Sequence, residues 1–394
     1  MNALYRDNTL NALLSADESA AHELIKWAVE YGMRGDIYKS YIAYALIKSE
    51  NVYSLSCEYS HEPYPAMLAY AVKELTPIYE LFNTRASEIL GNDYGAIVDG
   101  WTSDGESVYN AHAAAIITEL TRELSRCDSS DRFALTLARF YNTHGAGQFA
   151  LNYIFRLDRD GTTQPITCEE EFKLNKLIGL DAQKSALTSN TRAMLDGKRA
   201  NNVLLYGDGG TGKTTCVKAL TGEFGGKGLR IIETYRHELK HINSLIGAIK
   251  RRGYKFILFM DDLSFENNET DYKYLKALID GGLEPMPQNV VVYATSNRRH
   301  IVKESWKDRD DSDDELHRGD TVEEKLALAK RFGLSLYFPS PDQRQYLTIV
   351  RALAERAGLQ VDAQLEADAL RWEMREGGRS GRTAEQFIAS RLHL

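Results

Sequence analysis

The chain of 394 residues contains only four cysteines. Cys57, Cys127, Cys168 and Cys216 form no Cys-x-x-Cys pair and lack the Cys and His spacing of a zinc site. This pattern argues against a zinc site and against a disulfide framework, and it favours buried, reduced thiols.

Long apolar runs and an excess of positive charge are also missing. No run approaches the roughly 18 apolar residues of a membrane span, and the opening MNALYRDNTL lacks the basic and apolar regions of a secretory signal. The formal charge of -8 and the pI near 5.7 argue against non-specific binding of nucleic acid, which needs a basic face. We therefore expect a cytoplasmic protein of two or three domains that makes no membrane contact.

The most informative stretch is NVLLYGDGGTGKTTCVKAL, residues 202–220. An apolar run, a glycine-rich turn and a helical pattern follow one another, and the turn fits GxxxxGK[ST], in which backbone N–H groups and a helix N-terminus cradle phosphate. Lys213 would reach the β- and γ-phosphates, and the Thr214 hydroxyl would bind Mg²⁺. The predicted nucleotide-binding residues are Gly207, Asp208, Gly209, Gly210, Thr211, Gly212, Lys213, Thr214 and Thr215.

Two later apolar runs end in polar residues. KFILFMDD resembles a buried parallel strand closed by Asp261 and Asp262, and NVVVYATSN ends in Asn297. Since ligands bind at the carboxyl ends of such strands, Asp261 is the second predicted Mg²⁺ ligand. Asp262 would orient or deprotonate a water, and Asn297 would bond the γ-phosphate or that water. Turn-forming residues at strand ends are the alternative for all three.

The periodicity from residue 16 to about 156 is helical, and the turn-rich LDRDGTTQP, residues 157–165, is the best domain boundary. Within CEEEFKLNKL, 168–177, we expect a helix. Ile178, in the turn that follows, is a candidate for packing on the nucleotide base, an ordinary connection being the alternative. After the last strand, LSLYFP, three helices form a small lid, with Pro341 in the opening turn of the first and Ser380 as N-cap of the last.

These motifs carry a family resemblance. GDGGTGKT, FILFMDD, VVVYATSN, KRFG and RSGRTA occur in the order and spacing of the AAA+ ATPases. The chain also resembles one bacterial AAA+ family of unknown function, through LIGLDAQK, LKALIDGGLE and SGRTAEQFI among others, over about residues 171–394. The resemblance implies an α/β P-loop sheet, 166–340, with a C-terminal helical lid, 341–394. The helical periodicity before it indicates an N-terminal all-α domain, 1–165.

The resemblance also implies roles for single residues. Lys213 and Thr214 belong to Walker A, Asp261 to Walker B and Asn297 to sensor 1, while Asp262 stands where most members carry the catalytic glutamate. Two arginines complete the set. Arg331 matches the arginine finger that acts on a neighbouring subunit, and Arg382 matches the sensor 2 arginine, with Arg379 as second choice.

Two departures from the family matter. Aspartate at 262 is one methylene shorter than glutamate, so slow turnover is expected unless Glu266, one helical turn on, substitutes for it. The segment after LRIIETY lacks the aromatic, apolar and glycine pattern with which protein-threading rings grip a polypeptide, which argues against an unfoldase. Arg298 and Arg299 lie close to sensor 1 and receive no role.

Two functions from different classes remain open. One is an oligomeric ATPase that uses ATP and Mg²⁺ to change its contacts with an unidentified protein or nucleic-acid client. The other is a nucleotide-dependent loader or scaffold that hardly hydrolyses ATP, for which helicase loaders offer an analogy of fold only. A small-molecule kinase explains the first motif but none of Asn297, Arg331 and Arg382.

Overall fold

The computed structural model describes residues 4–60, 63–102, 110–167, 172–263, 275, 278–279, 285–297 and 331–392. Glu266, Arg298 and Arg299 lie outside these residues, as does Cys168. None of the described helices is long and apolar enough to span a membrane.

The chain divides into two compact units. We call Met1–Phe155, Pro165–Glu170 and Arg251–Tyr254 the helical unit, and Arg156–Gln164, Glu171–Lys250 and Lys255–Leu394 the sheet unit. The predicted domain boundaries at 165 and 340 stay predictions.

The helical unit contains ten described helices around one apolar core. Side chains of Asp7, Asp36, Asn51, Asn110 and Ser129 cap helix starts by accepting backbone N–H bonds, which satisfies donors that a helix leaves unpaired. The helices are α1 (Asn8–Leu14), α2 (Ala20–Tyr31), α3 (Ile37–Lys48), α4 (Val52–Tyr59), α5 (Pro65–Asn83), α6 (Ala86–Ile89), α7 (Gly91–Asp99), α8 (Ala111–Leu124), α9 (Ser130–His144) and α10 (Gln148–Leu151).

Seven strands form one sheet in the order β2-β1-β4-β5-β6-β3-β7. The five strands from β4 to β7 in this order are parallel, and β3 to β6 are buried along nearly their whole length. They are β1 (Ile154–Leu157), β2 (Thr163–Pro165), β3 (Val203–Gly207), β4 (Leu229–Glu233), β5 (Lys255–Met260), β6 (Val290–Ser296) and β7 (Leu334–Phe338).

The remaining described helices precede, connect or follow these strands. They are α11 (Asp181–Leu195), α12 (Lys213–Phe224), α13 (Ile242–Ile249), α14 (Gln343–Arg356), α15 (Ala363–Arg375) and α16 (Gly381–Leu392). The last three pack around Tyr346, Val350 and Phe387 as the lid. The predicted α/β fold class with a helical lid and an N-terminal helical region is confirmed.

Three local predictions were wrong. β1 and β2 lie where the sequence indicated helix and linker, because their pairing is tertiary and their residues carry little strand pattern. The described part of 168–177 holds only a 3₁₀ turn, Leu174–Lys176, and Arg356 binds the carbonyls of Asn175 and Lys176. Pro341 precedes α14, whose N-cap is Asp342.

Candidate functional site

The glycine-rich turn joins β3 to α12 and is shaped by its glycines. A Cβ on Gly207, whose φ is +135°, would lie 2.1 Å from the carbonyl oxygen of Phe338 on β7, so only glycine fits there. Gly212, at φ +91°, turns the chain into α12. The predicted strand, loop and helix are therefore present, with Lys213 as the first helical residue.

Lys213 is buried inside this loop. Its Nζ donates to the carbonyl oxygens of Gly207 at 3.0 Å and Asp208 at 2.6 Å. Burial lowers the pKa of Lys213, while the charges of Asp208, Asp261 and Asp262 oppose that shift. The ammonium group therefore lies against the carbonyl oxygens of the loop whose N–H groups would surround a phosphate.

The first turn of α12 and the ends of β5 and β6 bring hydroxyl groups and a carboxylate together. The Thr214 hydroxyl donates to Oδ1 of Asp261 at 2.8 Å, and the Thr295 hydroxyl of β6 donates to the same oxygen at 2.6 Å. Hydroxyl and carboxylate oxygens are the ligands that Mg²⁺ prefers. The two residues predicted to hold magnesium therefore have the chemistry that this ion requires.

Asp262 is held in an unusual conformation. Its φ is +53°, a left-handed backbone that costs of order 1–3 kcal/mol in a residue other than glycine. Its N–H donates to Oγ1 of Thr295 at 2.8 Å, and the amide of Asn297 donates to its Oδ1 at 2.7 Å. Pairing of β5 with β6 places these residues side by side. Thr295, which the sequence did not single out, thus orients both aspartates.

The lid meets the P-loop directly. Ser380 accepts from the N–H of Thr383 at 3.0 Å, which confirms it as the N-cap of α16. The N–H of Arg382 donates to the carbonyl of Gly210 at 3.3 Å, and its side chain lines the cavity described below. Arg379 instead pairs with the buried Glu373 at 3.0 Å, so the geometry favours Arg382 as the lid arginine.

These groups line a cavity of about 510 Å³, within the range of small-molecule sites. Its polar lining residues include the P-loop, both aspartates and Asn297, and its apolar ones include Ile178 and residues of α14. Of the predicted residues, the following line it: Ile178, Gly209, Gly210, Thr211, Gly212, Lys213, Thr214, Thr215, Asp261, Asp262, Asn297 and Arg382. Gly207 and Asp208 do not, because Gly207 packs on β7 and the Asp208 side chain bonds to Ser340.

Arg331 is the predicted residue that the structure keeps apart from the others. It precedes β7 by three residues, whereas the P-loop follows the opposite end of the paired strand β3, where Gly207 lies beside Phe338. The four residue steps from Leu334 to Phe338 alone span about 13 Å along β7. Arg331 does not line the cavity. Arg331 therefore lies apart from the residues that line the cavity of its own chain.

Comparisons with known proteins agree with the family expected from the sequence. The model of a family described as "Protein of unknown function (DUF815)" matches residues 148–392. No protein with a curated description matches the chain significantly.

Among solved structures, a variant of RuvB from Thermotoga maritima aligns at 16% identity over 55% of this chain and 62% of that chain, with a TM-score of 0.38. The T. maritima RuvB Holliday junction branch migration motor aligns at 14% identity over 56% of this chain and 72% of that chain, with a TM-score of 0.35. Similarity this distant transfers neither activity nor substrate.

Proposed function

The chain belongs to the DUF815 family of proteins of unknown function, and from the site itself we propose that it binds Mg·ATP and hydrolyses it as an AAA+ ATPase. The observation that carries this proposal is the hydrogen-bonded series Thr214, Asp261, Thr295, Asp262 and Asn297 beside the P-loop. If these residues only formed turns at the strand ends, they would not need to bond to one another or to line a cavity.

Each residue has a defined task in this proposal. The loop N–H groups and Lys213 bind the β- and γ-phosphates, and Ile178 packs on the base. Thr214 and Asp261 would hold magnesium, which supplies neutralisation of phosphate charge. Asp262, oriented by Asn297, positions the attacking water and accepts its proton. Arg382 binds phosphate from the lid.

Hydrolysis in this proposal requires an assembly. Arg331 does not line its own chain's cavity, which supports a role as a finger toward a neighbouring subunit. Such an arginine stabilises the charge of the transferring phosphoryl group and is worth about 10³-fold or more in rate. We propose that the resulting motion of the lid and sheet is passed to a client through the N-terminal helices.

A second function, the loader or scaffold with little hydrolysis, is favoured by one observation. The short Asp262 carboxylate already accepts the Asn297 amide and sits on a strained backbone. A carboxylate held in this way has less freedom to reach a water. In that case the bound ATP itself, and not its turnover, would switch the protein between states.

Binding and hydrolysis measured separately distinguish the two functions. We expect the purified chain to bind Mg·ATP, and Asp262→Asn to bind it without releasing ADP, because the amide cannot accept the proton of the water. Asp342→Asn, which alters a helix cap outside the cavity lining, serves as the matched control. Tight binding by the unmodified chain with no ADP formed at any protein concentration would favour the scaffold, and no binding would refute both functions.

A further inference from the structure

The connection between β7 and the lid consists of Pro339, Ser340 and Pro341. Prolines have a fixed φ and no N–H, so of these three residues Ser340 alone provides a backbone donor and a side-chain donor. The N–H of Asp342, the N-cap that follows, donates to Gln345 of its own helix. Both prolines line the nucleotide cavity. The orientation of Ser340 is therefore linked to the direction in which the lid leaves the sheet.

Both donors of Ser340 are used by one P-loop residue. The N–H of Ser340 donates to Oδ2 of Asp208 at 3.1 Å, and its hydroxyl donates to the same oxygen at 2.5 Å. Hydrogen bonds to a carboxylate are about twice as strong as neutral ones. Asp208 thus fastens the hinge of the lid to the phosphate-binding loop.

The backbone of Asp208 is at the same time bound to the residue that would contact phosphate. Its carbonyl oxygen accepts from Nζ of Lys213 at 2.6 Å and from the Thr211 hydroxyl at 2.8 Å. Phosphate oxygens compete for both donors, and a polyphosphate brings negative charge toward the Asp208 carboxylate. A phosphate group bound to the loop would therefore act on Asp208 in two ways. It would remove hydrogen bonds from the carbonyl oxygen, and it would repel the carboxylate.

We propose that Asp208 and Ser340 form a latch that transmits occupancy of the phosphate site to the angle of the lid. This rests on the proposed function only in that the ligand is a nucleoside triphosphate. When phosphate draws Lys213 away from the Asp208 carbonyl, the Asp208 peptide shifts and Ser340 follows, carrying α14 with it. A second contact, from Arg382 to Gly210, keeps the far end of the lid on the same loop.

Hydrogen exchange of the lid helices tests the latch in the full chain. Exchange is measured in α14 and α16 without ligand, with Mg·ATP and with Mg·tripolyphosphate, which isolates the phosphate contribution. We expect Ser340→Ala to bind Mg·ATP while the ligand-induced change in lid exchange falls about fivefold or more, the low end of couplings between linked sites. Ser340→Thr, which keeps the hydroxyl, should restore the response.

Ser335→Ala is the matched control, since this exposed serine lies on β7, five residues before Ser340. Its lid response should equal that of the unmodified chain. If Ser340→Ala binds Mg·ATP and its lid responds fully, the latch is refuted while the ATPase proposal stands. If the unmodified chain binds neither ligand, the proposed function fails and the latch fails with it.

Discussion

Two groups of charged residues lie on either side of β5 in the sequence, and they are built differently. Before the strand, Arg252 is only 7% exposed and donates to both carboxylate oxygens of Glu58, at 2.7 and 2.9 Å. It also reaches Glu50 and the carbonyl of Ala146, at 2.6 and 2.8 Å. After the strand, Asp261 and Asp262 face a cavity and accept bonds from neutral hydroxyl and amide groups.

The difference is whether the charged groups are enclosed by one another or face open space. The Arg252 cluster is enclosed, since the rings of Phe149 and Tyr254 lie 5.2 and 5.6 Å from its guanidinium carbon. The turn beside it has no space to spare, because a Cβ on Gly147 would lie 2.0 Å from Glu50. Here opposite charges satisfy one another, whereas the charges of the cavity line a space large enough for a ligand.

The largest effect should follow from removing the cavity's buried cation. Lys213→Ala takes away the charge that would contact the β- and γ-phosphates, so we expect loss of Mg·ATP binding or of turnover. Titration calorimetry and ADP release measure the two. Lys218→Ala, five residues later on α12 and absent from the cavity lining, is the control, and an equal loss there would show that the helix rather than the charge was damaged.

Removing the predicted arginine finger should lower turnover nearly as much, without changing the affinity for Mg·ATP. We expect Arg331→Ala to lower turnover about 10³-fold, because the finger stabilises only the transition state, while the affinity for Mg·ATP stays unchanged. Single-turnover kinetics with a binding titration separate these effects. Full activity in this variant would remove the finger assignment.

Breaking the Arg252 cluster should lower the free energy of unfolding. Arg252→Met leaves the buried Glu58 without its cation, and removing one partner of a buried ion pair costs about 3–5 kcal/mol. Arg132→Met breaks the exposed pair with Asp128, where little or no loss of stability is expected because water screens the two charges. Urea unfolding of both variants gives the comparison. Equal losses in the two would contradict the view that the Arg252 cluster holds structure.

A smaller effect should follow from removing the Thr295 hydroxyl, which bonds to both Asp261 and Asp262. Thr295→Val keeps the side-chain shape but leaves the Asp262 N–H without its acceptor, at a cost of about 1 kcal/mol. We expect lower stability together with lower turnover, measured by thermal unfolding and ADP release. Thr348→Val, exposed on α14, should change neither, and unchanged turnover in Thr295→Val would show that the aspartates need no such support.

The sequence was most informative where a backbone motif dictates its own geometry. The strand, glycine turn and helix around Lys213 could be predicted because glycine spacing and apolar periodicity are local properties. The meeting of Asp261 and Asn297 could also be predicted, since both close buried parallel strands. The structure brings these residues to one cavity, and their chemical roles stay predictions.

Other features depend on contacts between distant residues and left no local signal. In the sequence, Thr295 is one of several residues of a buried strand, and Ser340 is a serine between two prolines. Neither position indicates its contacts. Strands β1 and β2 have only four and three residues, too few for an alternating pattern to indicate pairing. Arg252 looks like one of two surface arginines until Glu58, almost 200 positions earlier, is found beside it.

The central claim is that ATP is hydrolysed at a site shared between copies of the chain. Mixing Lys213→Ala with Arg331→Ala tests it, because the first variant keeps the finger and the second keeps the phosphate loop. We expect each alone to be nearly inactive and the mixture to regain turnover with rising protein concentration, as light scattering detects the oligomer in Mg·ATP. Arg331→Ala mixed with a variant that carries both Lys213→Ala and Arg331→Ala should stay inactive, because no chain then has the finger. Mixed oligomers without recovered turnover would contradict the shared site.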